Sequence, residues 1–167
     1  MDDVMAAQEH VALARSLLDL YNRRQSDPAW LEKGMAALAA DAKGIDVPSG
    51  AILRGPDGHK RLSLFFAESF PDSRIELTNA FATEDQVVLE GTWRWNDTGP
   101  LPLPSGALPL MRRSGELGCC FVFQIRKGKI ASLHHYDDML TLLDQLGLVP
   151  AGGQATEWPL KSASLAQ

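Results

Sequence analysis

The chain has 167 residues, 45% of them hydrophobic and 22% charged, with a formal net charge of -5. That length fits one domain with a substantial core, and the balance of residues is globular, neither disordered nor fibrous. Lys and Arg are scattered, with Arg112-Arg113 the densest cluster, so the basic stripe that tracks phosphates is missing and no nucleic-acid partner is expected.

From Val4 to Arg24 the apolar residues Val11, Ala14, Leu18 and Tyr21 recur at helical spacing, with Leu13, Leu17 and Leu20 beside them. The Met1-Asp2-Asp3 start lacks the basic and apolar segments of a secretion signal. No apolar run approaches the roughly 20 residues of a membrane helix, so no membrane partner is expected. Ser26-Asp27-Pro28 stops the first helix and starts a second, with Asp27 as N-cap and Pro28 at the first helical position. This second helix is expected to run through Trp30, Met35 and Leu38 to Lys43-Gly44. The stretch Ile45 to Leu53, around Pro48-Ser49-Gly50, reads as a short hairpin or irregular edge. Gly55-Pro56-Asp57-Gly58 precedes a third helix whose inward stripe is Leu62, Phe65, Phe66 and Phe70, ended by Pro71. His59, near its start, is expected in solvent.

After Pro71 the apolar period becomes that of a strand. Ile75, Leu77, Asn79 and Phe81 alternate, Thr83-Glu84-Asp85 turns the chain, and Gln86 to Trp95 carries Val87, Leu89, Gly91, Trp93 and Trp95 on one face. The segment Asp97 to Gly115 holds four prolines and three glycines, which excludes an inner strand and suits a flap or edge ornament. Arg112-Arg113 within it could clamp a carboxylate. Leu117 to Arg126 and Ile130 to Asp137 form a further strand pair joined by Lys127-Gly128, and a helix from Asp138 to Leu146 ends at Gly147. Cys119 and Cys120 point to opposite faces of their strand, so free thiols in a reducing cytoplasm are expected. Residues 1–150 read as one domain and 151–167 as a tail packed through Trp158. Helices, then an antiparallel meander, then a short helix indicate an α+β fold.

Several segments, in order, resemble the SnoaL-like polyketide cyclases, also called ester cyclases. They are Gly55-Pro56-Asp57-Gly58, Phe70-Pro71-Asp72, a strand reaching Thr98-Gly99-Pro100, Pro104-Ser105-Gly106, Gly128-Lys129-Ile130, Asp138-Met139 and Gln145-Leu146-Gly147. The resemblance implies a cystatin-like, nuclear transport factor 2-like cone, in which N-terminal helices plug a strongly curved, mostly antiparallel sheet around a cavity. It also implies homodimers paired through the outer sheet face. The activity it implies is ring closure of a polyketide ester by aldol condensation, without metal or organic cofactor. The family's last-strand Trp, its acid/base residue and the Asp opening the final helix fall on His134, His135 and Asp138. A family histidine on the preceding strand falls near Phe121 or Phe123, and another nearest Asp97, so this chain keeps neither.

Strand alternation sets Leu133, His135 and Asp137 against His134 and Tyr136. The first set is expected in the cavity wall with Cys119, Phe121 and Phe123, and with Trp93 and Trp95 as further ligand contacts. His135 has the chemistry of a general base, and Asp137 or Asp138 could orient its ring, although either could equally be the N-cap of the last helix. Proton abstraction beside a carbonyl would also need an enolate stabiliser, for which Tyr21, Asn22, Trp93 and Trp95 are candidates. The expected function is therefore binding of a small apolar or polyketide-like carbonyl compound, with cyclase- or isomerase-type acid–base chemistry. The alternative is a non-catalytic binding protein or dimeric accessory protein.

Overall fold

A computed structural model describes residues 2–96, 98–103, 106–108 and 113–149. Three helices precede most of the sheet: α1 (Asp2–Asn22), α2 (Trp30–Ala36) and α3 (Gly55–Ser69). Between α2 and α3 lie strands β1 (Leu38–Asp46) and β2 (Ala51–Arg54). Then follow β3 (Arg74–Ala82), β4 (Gln86–Trp95), the short β5 (Leu101–Leu103) and β6 (Gly106–Leu108), β7 (Gly115–Arg126), β8 (Lys129–Asp137) and α4 (Met139–Gln145). Six strands form one sheet in the order β2-β1-β8-β7-β4-β3, while β5 and β6 pair separately. Arg112, Asp97 and the segment from Ala151 onward, Trp158 included, lie outside the described residues.

The second helix is shorter than its sequence suggests. It stops at Ala36, and Leu38 to Asp46, read as helix as far as Gly44 and as the start of a hairpin beyond it, is one strand. Leu38 and Ala42 keep helical spacing among alanines, but tertiary pairing overrides that preference. β1 pairs antiparallel with β2 on one side and parallel with β8 on the other. Parallel strands need a long crossover, and here α3 and the β3–β4–β7 meander supply it.

Alternation along β4, β7 and β8 buries Val87, Leu89, Trp93, Leu117, Phe121, Phe123, Ile130 and Leu133 on the face covered by α1 and α3. Interruptions of register in β1, β3 and β8 are the irregularities that bend strands. α1 is fixed to the start of β3 by hydrogen bonds in both directions: Asn22 donates to the Ile75 carbonyl and accepts from its N–H, each at 2.8 Å. The Arg24 guanidinium donates to the carbonyls of Tyr21, Phe70, Pro71 and Ser73 and lies 4.2 Å from the Tyr21 ring centre. These contacts hold the helices over the sheet and leave a space between them.

Candidate active site

That space is a cavity of about 100 Å³, several times the room one water needs. Its wall is largely apolar, with Leu17, Trp30, Met35 and Phe66 from the helices facing Trp93 and Phe121 from the sheet. Tyr21, Ser63 and His135 are its polar members. An apolar wall with a few convergent polar groups is the usual make-up of a small-molecule site.

His135 sits on the inner face of β8, its side chain only 10% exposed, whereas His134 and Tyr136 point outward. Its ring stacks on Phe121 at 4.9 Å between centres and 12° between planes, with Phe66 edge-on at 5.5 Å. The parallel pairing of β1 and β8 places Asp46 opposite His135, with Nδ1 at 2.8 Å from the Asp46 carboxylate. A carboxylate can only accept, so Nδ1 carries the proton and a neutral ring presents Nε2 as its free lone pair. Asp46 is in turn held by the Ser49 hydroxyl, and its carbonyl accepts from the Gly50 N–H at 2.8 Å. Gly50 takes a positive φ of 72° in that turn, a conformation that suits glycine. Burial pushes the Asp46 carboxyl up, but hydrogen bonds from His135 and Ser49 outweigh it, and the group stays below the ordinary carboxylate range.

Asp137 flanks the ring on its other edge, 3.7 Å from Nε2 and too far for a hydrogen bond. Its side chain is 1% exposed, and neither oxygen has a hydrogen-bond partner among the described residues. Burial raises its pKa; attraction to His135 opposes this, while Asp46 and Asp138 add repulsion. The two carboxylates that bracket one imidazole therefore have opposite preferences for charge.

Among the other residues named from sequence, Trp93, Cys119, Phe121 and Leu133 line the cavity. Trp95 and Phe123 do not, and neither does Asp137, whose carboxyl is buried behind the His135 ring against the expectation that it would share the wall. Trp95 packs behind the wall on Phe70 and Trp93, and Phe123 is core beneath Phe121. Asp138 is also corrected: it is exposed and caps α4, accepting from the Thr141 N–H at 3.0 Å and its hydroxyl at 2.6 Å. Burial pushes the Cys119 thiol up to about 12, with nearby Asp137 and Cys120 adding to it, so it stays a neutral thiol and not a nucleophile. His59 is buried too, against the reading that left it in solvent. It donates from Nδ1 to the Gly55 carbonyl at 2.9 Å, and its Nε2 lies against Gly44, where a Cβ would come within 2.9 Å of it. Asp46 was missed because its segment reads as a short hairpin or irregular edge, and only the pairing of β1 with β8 brings it to His135. Among the described residues no three or more His, Cys, Asp or Glu side chains are grouped to hold a metal ion.

A family model described as SnoaL-like polyketide cyclase matches residues 12–146. No curated protein matches the chain. Among solved structures, one assigned as a SnoaL-like polyketide cyclase from Jannaschia sp. CCS1 aligns with a TM-score of 0.74 at 17% identity, over 86% of this chain and 95% of that one. TsrD from Streptomyces laurentii aligns with a TM-score of 0.67 at 24% identity, over 85% and 97% of the two chains. An LEH-like epoxide hydrolase from M. tuberculosis aligns with a TM-score of 0.61 at 16% identity, over 84% and 90%. At these identities the likeness is one of fold.

Proposed function

Since the chain belongs to the SnoaL-like polyketide cyclase family, we propose that it binds a small, mostly apolar carbonyl compound in its interior cavity and acts on it by acid–base chemistry. His135 is the base: Nε2 removes a proton next to the carbonyl, and Asp46 orients the ring and offsets the charge it gains. The observation that carries this reading is the buried imidazole in an apolar cavity wall, with Nδ1 held by Asp46 at 2.8 Å. An oriented base within reach of substrate accounts for rate factors of about 10²–10⁴. The reading needs no cofactor, because an activated α-proton can move between an imidazole and a carboxyl pair unaided.

Trp30 and Trp93 line the cavity, so quenching of their fluorescence reports binding of a neutral ketone such as β-tetralone. Exchange of its α-protons in D₂O, followed by NMR, reports the chemistry. The expected result is exchange above the buffer rate, abolished in His135→Ala with binding retained. Binding without exchange, or equal exchange by His135→Ala, would replace the enzyme by a carrier that holds its ligand unchanged.

The same reading extends to assembly. Val88, Val122 and His134 are neighbours across three strands on the outer sheet face, with half-exposed Cys120 and exposed Tyr136 beside them. Two copies pair through this face, and equilibrium sedimentation should return twice the chain mass.

A further inference from the structure

The polar members of the cavity wall, Tyr21, Ser63 and His135, differ in how much of their hydrogen-bonding capacity the protein already uses. The Tyr21 hydroxyl is committed. It lies 2.7 Å from Ser73 Oγ, which gives its own proton to the Phe70 carbonyl at 2.8 Å, so Tyr21 is the donor of that pair. The Trp93 indole N–H is directed at the same Tyr21 oxygen. His135 is half committed: Nδ1 donates to Asp46, while Nε2 keeps a lone pair. Ser63 is uncommitted. It is half-buried, it has no hydrogen bond to any described residue, and its oxygen is not sealed away as those of Asp137 are.

A serine inside a helix ordinarily turns its hydroxyl back onto a carbonyl three or four residues earlier. Ser16 on α1 does this, donating to the Leu13 carbonyl at 2.7 Å. Ser63 does not. Helical spacing puts it on the inward stripe of α3 with His59, Leu62 and Phe66. Phe66, three residues further on, meets the His135 ring edge-on at 5.5 Å, and three residues of helix advance about 4.5 Å. The Ser63 hydroxyl and the imidazole therefore open into one apolar space from facing walls, α3 on one side and β8 on the other.

The two groups ask for different partners. Nε2 has a lone pair and no proton, so it accepts; Ser63 has a proton that no described residue takes, so it donates. A ligand that satisfies both presents a hydroxyl to the imidazole and a carbonyl oxygen to the serine. A molecule lacking either oxygen fits the apolar wall but leaves one polar group unpaired, and that loss is the basis of selection.

We propose that Ser63 is the specificity-determining residue of the cavity: its hydroxyl holds the carbonyl oxygen of a neutral hydroxy-carbonyl ligand whose hydroxyl docks on His135 Nε2. This rests on the cavity being the ligand site proposed above and narrows the ligand class; it does not require His135 to act as a base. Attachment at two points also fixes which way round the ligand lies, which an apolar wall alone cannot do.

The test is calorimetric titration of the full chain with three single-ring ligands. They are 3-hydroxyacetophenone, 3-ethylphenol, which lacks only the carbonyl, and acetophenone, which lacks only the hydroxyl. The wild type should bind the first about 5- to 10-fold more tightly than either of the others, the usual effect of one hydrogen bond. Ser63→Ala should abolish the preference over 3-ethylphenol and keep the preference over acetophenone. Ser63→Thr, which retains a hydroxyl, should keep both preferences, and His135→Phe should lose only the preference over acetophenone. An undiminished preference over 3-ethylphenol in Ser63→Ala overturns the role of Ser63 and leaves the cavity as the binding site. A uniform loss of affinity in Ser63→Ala for all three ligands, with both preferences intact, marks a residue that only shapes the wall and overturns the role as well. Binding of none of the three by the wild type overturns the cavity reading itself.

Discussion

Asp46 and Asp137 flank the same imidazole, yet Asp46 is bonded to His135 and Ser49 while Asp137 is bonded to nothing described. These environments push the two carboxyl groups in opposite directions, Asp46 down through its hydrogen bonds and Asp137 up through burial. Replacing Asp46 by Asn tests the anionic side. An amide can present N–H or C=O to Nδ1 and carries no charge to match the imidazolium, so exchange should fall by about 10- to 100-fold, with β-tetralone affinity little changed. Rate and binding measured on the same sample check this; a matching loss of affinity would mean that Asp46 shapes the cavity instead. Gly44, two residues earlier on the same face, has its own constraint. A Cβ there would lie 2.5 Å from the Leu133 carbonyl, so any side chain would force β1 away from β8.

Among the elements, α4 shows how a site residue and a structural one can be confused. Asp137 and Asp138 are adjacent at the end of β8, and either could cap the helix that follows; the structure gives the cap to Asp138. Thr141 hydrogen bonds hold the Asp138 carboxyl below the ordinary range. Asp138→Ala should therefore cost about 1 kcal/mol, seen as a lower urea midpoint near neutral pH, and leave exchange unchanged. Because the folded-state pKa is depressed, that contribution is present above the unfolded value and lost as pH falls through the folded one. The strands β3, β4, β7 and β8 were legible from period-two alternation, and α1 and α3 from their apolar stripes. β1 was not. Ala36, Ala37, Ala39, Ala40 and Ala42 favour helix locally, and nothing near them in sequence announces the β2 and β8 partners that make the strand. His135 could be placed because its own strand alternates cleanly, whereas its partner Asp46 fell in a stretch that reads as a hairpin or irregular edge, with no sign of the β8 pairing.

For the molecule as a whole, buried ionisable groups set how stability depends on pH. Burial lowers the His59 pKa, against the opposing pull of the Gly55 carbonyl. The folded form thus binds fewer protons than the unfolded chain just below about pH 6.5, the unfolded histidine value. Stability should be full above that pH and decline below it, levelling off only past the folded pKa. His59→Leu should flatten this part of a urea-midpoint profile; an unchanged profile would assign the decline to other groups. Asp137, with its raised pKa, acts in the opposite sense: its contribution is present at low pH and lost as pH rises through the folded value. Among the described residues no helix is long and apolar enough to cross a membrane. His135 and the Asp46 carboxylate that orients it lie 89 positions apart and meet only where β8 slides in beside β1. On the ribosome, a nascent chain that has already formed its first three helices and first hairpin still has an imidazole-free cavity, and the chemistry proposed for His135 can begin only when the last strand arrives. Turnover of a test ketone would thus time the end of folding, which no spectroscopic signal from the earlier helices could do.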